Sequence, residues 1–293
     1  MRAPLRPIRG RWPVWLERRC ARFFWNDPRL ILDPSADPEA FRQAMTALNV
    51  GDTVKITGAN RHPDADALIV NLVNAADLHD PTIVDIGASD GSTSLDLIRR
   101  LRRFKAYVIA DLFLTLDVVQ SGRRTFFFQP DGTCVLVAGP RTMSWPSESA
   151  ILAGVFDRQI RIARRRHTGR QEVLLLNPEV QRQIAADPRV SYRVHDVFEP
   201  WSEPTPDIIK VANLLRRLYF DDARIMAGLR ALLTSLPEGG HLCVVDNPRM
   251  KNTPPRGGLY RRQLGRFRPV AQTEGIPEID DLIRAVRLET ATG

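Results

Sequence analysis

The chain contains no apolar run approaching the roughly 18 residues that a membrane-spanning helix needs. Its first residues also lack the apolar core of a secretory signal, so a cytoplasmic protein is the expectation. Cysteine is scarce: Cys20, Cys134 and Cys243 stand far apart with no paired spacing. That pattern argues against a disulfide framework and against a cysteine-based zinc site. Lysine is almost as scarce, with Lys55, Lys105, Lys210 and Lys251 the full set, so nearly all of the formal charge of +8 comes from arginine. The arginines fall in separate clumps, Arg2 to Arg22, Arg99 to Arg103, Arg158 to Arg170 and Arg256 to Arg268. A surface built to track phosphates would gather its cations, so nucleic acid is not expected as a partner. No solenoid-type repeat is visible.

What is present is a chain of 293 residues with 43% apolar content, enough to bury a large core. Its most informative stretch is Ile83-Val84-Asp85-Ile86-Gly87-Ala88-Ser89-Asp90-Gly91-Ser92. Thr82 to Ile86 has the β-branched density of a strand buried on both faces, and Ser92 to Leu101 has helical periodicity through Leu95, Ile98 and Leu101. The glycines therefore sit in a strand-to-helix turn. Gly87 supplies backbone angles that other residues resist, Gly91 lets a ligand approach the main chain, and the following helix turns its free N–H groups to the same spot. An anionic or nucleotide-like ligand is implied.

Strand and helix alternate through the rest of the chain in the manner of a parallel sheet. Predicted strands run from Ala106 to Ala110, ending in Asp111; from Val190 to Val194, ending in His195-Asp196; from Ile208 to Ala212, ending at Asn213; and from His241 to Val245, ending in Asp246. A helix from Asp221 to Leu236 and a Pro237-Glu238-Gly239-Gly240 turn precede the last of these. Acidic and amide residues thus recur where an open α/β sheet binds its ligand. About 80 residues separate Asp111 from Val190, far more than the dozen or so a crossover needs. An insertion over about 112–176 is expected, and as a loop region at strand ends it is expected to wall the ligand site. It contains a hairpin around Pro130-Asp131-Gly132-Thr133, a helix over Ser147 to Arg166 and an apolar strand, Val173 to Leu176, leading into a helix from Pro178 to Ala186.

The expected division is an N-terminal helical segment (1–78), the core (79–247) and a C-terminal part (248–293) with a hairpin turning at Leu264-Gly265-Arg266. Helices are predicted over Asp37 to Leu48 and Asp64 to Leu78. Residues 1–30 interleave Trp12, Trp15, Phe23, Phe24 and Trp25 with Arg11, Arg18, Arg19 and Arg22. Such a segment suits either a helix docked on its own domain or peripheral contact with an anionic membrane. His62, Asp64, Asp66, His79 and Asp80 invite a metal reading. It is set aside because acids at a helix start favour the dipole, and residues two apart do not share a face.

These motifs in their order resemble the class I S-adenosylmethionine-dependent methyltransferases. Val84 to Gly91 resembles the first motif of that family, with Ser89 where a central glycine often sits. Val194-His195-Asp196-Val197 resembles its adenine-facing motif. Val211 to Leu215 and Leu236 to Leu242 resemble the fourth strand and the turn into the fifth. The resemblance implies a Rossmann-like α/β fold: a mostly parallel, doubly wound sheet with N-terminal helices and an inserted hairpin-plus-helix subdomain. It further implies S-adenosyl-L-methionine as cofactor, held by Asp85, Gly87, Ala88, Ser89, Asp90, Gly91, Asp111, Asp196, Val197 and Asn213. In that picture Asp111 accepts from the ribose hydroxyls, Asp196 from the adenine amino group, and Val197 offers a backbone N–H and an apolar side chain to the ring. Asn177 and Glu179 also follow an apolar strand, so they stand as alternatives to Asp111.

The methyl acceptor is unidentified, with a small or hydrophobic molecule as the expectation. No Asn-Pro-Pro-Tyr signature follows the fourth strand and no cysteine pair suggests carbon-5 pyrimidine chemistry. Asn213 resembles the asparagine of chemotaxis-receptor carboxyl methyltransferases. A protein carboxyl methyltransferase and a non-catalytic cofactor-binding scaffold are therefore carried as alternatives. A nicotinamide dehydrogenase would want a third glycine that this turn lacks. No metal, catalytic residue or oligomeric state is implied.

Overall fold

A computed structural model describes residues 4–50, 53–54, 58, 60–75, 78–166, 168–248 and 253–288. Arg2, Lys55, Lys251 and residues 76–77 of the helix predicted from Asp64 lie outside the described residues. The chain forms two compact units, residues 1–57 with 113–181 and residues 58–112 with 182–293.

The second unit carries the glycine turn. Its elements run α1 (Pro63–Ala75), β1 (Thr82–Ile86), α2 (Ser92–Arg100), β2 (Ala106–Asp111), the second half of α3 (Pro178–Ala186), β3 (Val190–Val194), β4 (Ile208–Ala212), α4 (Asp222–Ser235), β5 (His241–Asp246), β6 (Arg256–Gln263), β7 (Arg266–Gln272) and α5 (Asp280–Ala285). The sheet order is β3-β2-β1-β4-β5-β6-β7. The first five strands are parallel, and the C-terminal hairpin adds β6 antiparallel to β5 and β7 antiparallel to β6. Leu264 and Gly265 take left-handed backbone angles at its turn, where the sequence places it.

Alternation along the strands gives the sheet two different faces. Val84, Ile86, Val108, Ala110, Ile209, Val211, Leu242 and Val244 form one core with Ile225, Leu229, Leu232 and Leu233 of α4 and Ile283 of α5. The intervening positions carry a buried polar cluster. Lys210 is fully buried, its Nζ 2.9 Å from Asp66 Oδ1 on α1 and 3.7 Å from Asp85 Oδ2 on β1. Asp85 also accepts from Ser94 Oγ of α2 at 2.8 Å and from the Tyr107 hydroxyl of β2 at 3.0 Å. Burial alone would push Lys210 down, but Asp85 and Asp66 beside it hold it above its ordinary value, so it stays charged.

The first unit is a six-stranded antiparallel sheet in the order Leu5–Pro7, Thr142–Ser144, Cys134–Ala138, Arg124–Phe128, Thr115–Ser121, Arg170–Leu174. The predicted hairpin is present, with Gly132 left-handed at φ +83° in its loop. The grouping differs from the three-part division expected. The N-terminal segment is not a separate helical piece: Ile8, Ile31, Phe41 and Met45 share a core with Leu116, Phe127, Leu136 and Trp145 of the insertion. Trp145 Nε1 donates to the Ala47 carbonyl at 2.7 Å, and Leu5–Pro7 pairs with Thr142–Ser144. Neither segment buries its apolar face alone, so the two fold as one. Residues 58–75 belong to the other unit.

Lys210→Met is expected to leave Asp66 and Asp85 buried without their cation. A lost partner of this kind costs about 3–5 kcal/mol, read as a fall in the urea midpoint of unfolding. A change below about 1 kcal/mol would show that the cluster is not held by this charge.

Candidate functional site

The chain leaves β1 at Ile86 and reaches α2 through Gly87, Ala88, Ser89, Asp90 and Gly91. Three of these five residues are left-handed, Gly87 at φ +78°, Ser89 at +58° and Gly91 at +74°. Two are glycines, for which the region costs little; Ser89 needs support. It has it, because its backbone N–H donates to Asp111 Oδ2 at 2.8 Å. The N–H groups of Gly87 and Ala88 both donate to the Ala110 carbonyl, at 2.8 and 3.0 Å. The end of β2 thus pins the turn that follows β1. A Cβ on residue 87 would come within 2.8 Å of Leu214 Cδ2, so packing as well as dihedral angle demands glycine there.

Asp90 is buried, accepting from the Ser92 N–H at 3.1 Å and the Ser92 hydroxyl at 2.9 Å. Ser89 Oγ is buried within the turn and has no hydrogen-bond partner among the described residues. Asp85, expected to face the ligand, instead points into the core. Its carboxylate is occupied by Ser94, Tyr107 and Lys210, because successive strand residues face opposite sides of the sheet. Its part is to position the strand from which the turn springs.

The other strand ends converge on the same edge. Asp111 is half-buried at the end of β2, and its carbonyl accepts from the His195 N–H at 3.2 Å. Asp196 Oδ1 accepts from the Phe198 N–H at 3.0 Å, closing a local turn. The Val197 side chain is buried in the core with Leu229 and Leu232, not turned to a ligand ring. Asn177 and Glu179 are excluded as the second-strand end. The strand before them, Arg170–Leu174, pairs antiparallel with Thr115–Ser121 in the first unit, and Asn177 Nδ2 donates to the Pro38 carbonyl at 3.2 Å.

Asn213, left-handed at φ +57°, joins β4 to β5. Its Oδ1 accepts from the Asn247 N–H at 2.7 Å, and its Nδ2 donates to Asn247 Oδ1 at 2.6 Å. His62 Nε2 lies 2.8 Å from that same oxygen and 3.1 Å from Asn213 Nδ2, while its Nδ1 is buried without a partner among the described residues. Burial, followed by the positive charge of Lys210, pushes His62 down to about 3, so the imidazole is neutral. Sequence reading considered His62 only as a metal ligand and missed Asn247. No spacing signal links either to Asn213, since the contact exists only once β4 and β5 pair.

Strand order reverses between β1 and β4, which places the glycine turn, Asp111, Asn213 and His62 on the carboxyl edge at the switch point. The core is Rossmann-like. No protein-family model and no curated protein matches the sequence. Solved structures to which it is similar include CalS10, an amino pentose methyltransferase from Micromonospora echinaspora, at TM-score 0.34 and 13% identity over 70% of this chain and 64% of that one. The citrinin polyketide synthase CMeT domain is similar at TM-score 0.32 and 15% identity over 62% of this chain, and only 33% of that chain is covered. An O-methyltransferase family 2 protein from Planctomyces limnophilus, solved with apigenin, gives TM-score 0.31 and 14% identity over 64% and 38%. The present chain spans less than two thirds of each.

His62 supplies a pH test. Its folded value lies near 3 against 6.5 for the free group, so the unfolded chain binds the extra proton between those limits and stability must fall as pH drops from about 6.5. In His62→Gln that fall is expected to be shallower in denaturant titrations repeated across this window. An identical slope in both proteins would contradict a neutral buried His62.

Proposed function

We propose that the second unit binds S-adenosyl-L-methionine and that the protein transfers its methyl group to a small or hydrophobic acceptor. The observation that carries this reading is the turn of three left-handed residues hydrogen-bonded to the carboxylate that ends the neighbouring strand, at the switch point of a parallel sheet. Its residue types suit the cofactor. The turn leaves Ser89 Oγ buried and unpartnered, a polar atom that a ligand would satisfy, and Asp111 is an acceptor suited to vicinal hydroxyls. The backbone of Gly87, Ala88, Ser89, Asp90 and Gly91 would hold the methionine portion, Asp111 the ribose and Asp196 the adenine amino group. When bound, the cofactor supplies an electrophilic methyl on its sulfonium. The protein's own task is then to align the acceptor and exclude water. Asn213 gives no support to the carboxyl methyltransferase alternative, since its amide is occupied by Asn247.

Asp111→Asn tests the assignment while keeping an oxygen for the Ser89 N–H. Losing a charge-assisted acceptor should weaken S-adenosylhomocysteine binding by about tenfold or more in calorimetry. Unchanged affinity would move the ribose contact elsewhere, and no binding by the wild type at millimolar ligand would end the cofactor reading.

Peripheral contact with anionic membrane, at a cytoplasmic surface, belongs to the same proposal. Among the described residues no helix is long and apolar enough to cross a membrane. Val14, Trp15 and Phe23 are exposed at 63%, 68% and 43%, among exposed Arg18, Arg19 and Arg22. Deleting residues 1–30 is a poor test, because Ile8 is fully buried and Trp25 packs edge-on against Trp145. The double substitution Val14→Ser, Trp15→Ser spares that core and is expected to abolish flotation with phosphatidylserine vesicles. Flotation equal to wild type would remove these residues as the anchor.

A further inference from the structure

The first unit carries a cavity of about 430 Å³ lined by Arg11, Arg29, Gln120, Arg123, Pro140 and Arg141. Four of these six residues carry guanidinium groups and none is acidic, so the cavity presents a positive potential that favours an anion. Two of the arginines are held in place. Asp27 takes Arg29 in a two-point pair, Nε to Oδ1 at 2.8 Å and Nη2 to Oδ2 at 2.7 Å, and takes Arg11 Nη2 on Oδ2 at 3.1 Å. A third, Arg141, has its guanidinium carbon 5.6 Å from the centre of the Trp12 ring, while Trp12 Nε1 donates to the Arg141 carbonyl at 2.9 Å. Arg123, beside left-handed Gly122 in the turn between Thr115–Ser121 and Arg124–Phe128, makes no ion pair among the described residues. Glu17, which accepts from the backbone N–H groups of Gly10 and Trp12 on either side of Arg11, at 2.8 and 3.2 Å, adds a second negative charge near the set.

Asp27 and Glu17 together still leave the four arginines with a surplus of positive charge, beside a volume larger than a single water or halide would fill. Arg11, Arg29, Arg123 and Arg141 reach the cavity from four separate segments of the chain, and planar guanidinium groups suit multi-oxygen anions, which they can bind two points at a time. We propose that this cavity is a binding site for a phosphate or diphosphate group, carried by a soluble ester or by a lipid headgroup. The site is independent of the cofactor assignment, since every residue in it belongs to the first unit.

The test is calorimetric titration of the full chain with inorganic pyrophosphate at low salt. Saturable one-to-one binding is expected. The double variant Arg123→Gln, Arg141→Gln should weaken it about tenfold or more, whereas Arg18→Gln, Arg19→Gln, which removes the same charge outside the cavity, should bind as wild type. Equal weakening in both variants would reduce the effect to net charge and overturn the site, as would heats that never saturate for the wild type. Circular dichroism shows whether each variant is folded. Flotation with vesicles of phosphatidylcholine and phosphatidic acid separates the two sources. Loss in Arg123→Gln, Arg141→Gln alongside pyrophosphate binding assigns a headgroup, and flotation kept while pyrophosphate affinity falls assigns a soluble ester.

Discussion

Lys210 is the residue on which the second unit depends. An ammonium group in the middle of a parallel sheet is tolerable only if carboxylates meet it there, and Asp66 and Asp85 do so from a helix and an adjacent strand. Because Lys210 and Asp85 are paired positions of β4 and β1, a slip of one residue would send one charge to the apolar face under α4. The cluster therefore penalises wrong registers more than it adds stability, and through Ser94 it fixes α2 relative to the strand that precedes it. The glycine turn lies between those two fixed elements.

The turn is not a flexible loop that a ligand would have to order. The N–H groups of Gly87, Ala88 and Ser89 are committed to Ala110 and Asp111, its first glycine is closed over by Leu214, and its neighbours Asn213, Asn247 and His62 are locked together at the next strand ends. Such an edge offers a shaped, largely preorganised surface, so little ordering entropy would be lost on binding.

Local chemistry was legible in the sequence. Glycine spacing, strand alternation and the Pro130-Asp131-Gly132-Thr133 turn each act within a few residues, and the corresponding elements stand where they were placed. What the sequence concealed depends on contacts across long separations. Asp85 reads as a motif residue, yet its direction is set by pleat and by Lys210, more than a hundred positions later. Val173 to Leu176 reads like a second parallel strand because buried strands share a composition whatever they pair with. The joining of residues 1–57 to the insertion was invisible for the same reason, since the complementarity of Phe41 and Met45 with Leu116 and Phe127 is one of shape and apolarity that no spacing encodes.

The two-segment construction of the first unit bears on the order of events at the ribosome. Leu5–Pro7 and the residues behind it emerge before the strands that complete their sheet and bury Ile8 and Phe41, the last of which ends at Leu174. Ile8 and Phe41 therefore stay uncovered until more than a hundred further residues have been synthesised. During that interval Phe24 and Trp25 are open to chaperones and to nonspecific association. Charged residues interleaved with an apolar segment oppose its aggregation, and Arg18, Arg19 and Arg22 stand in that position here.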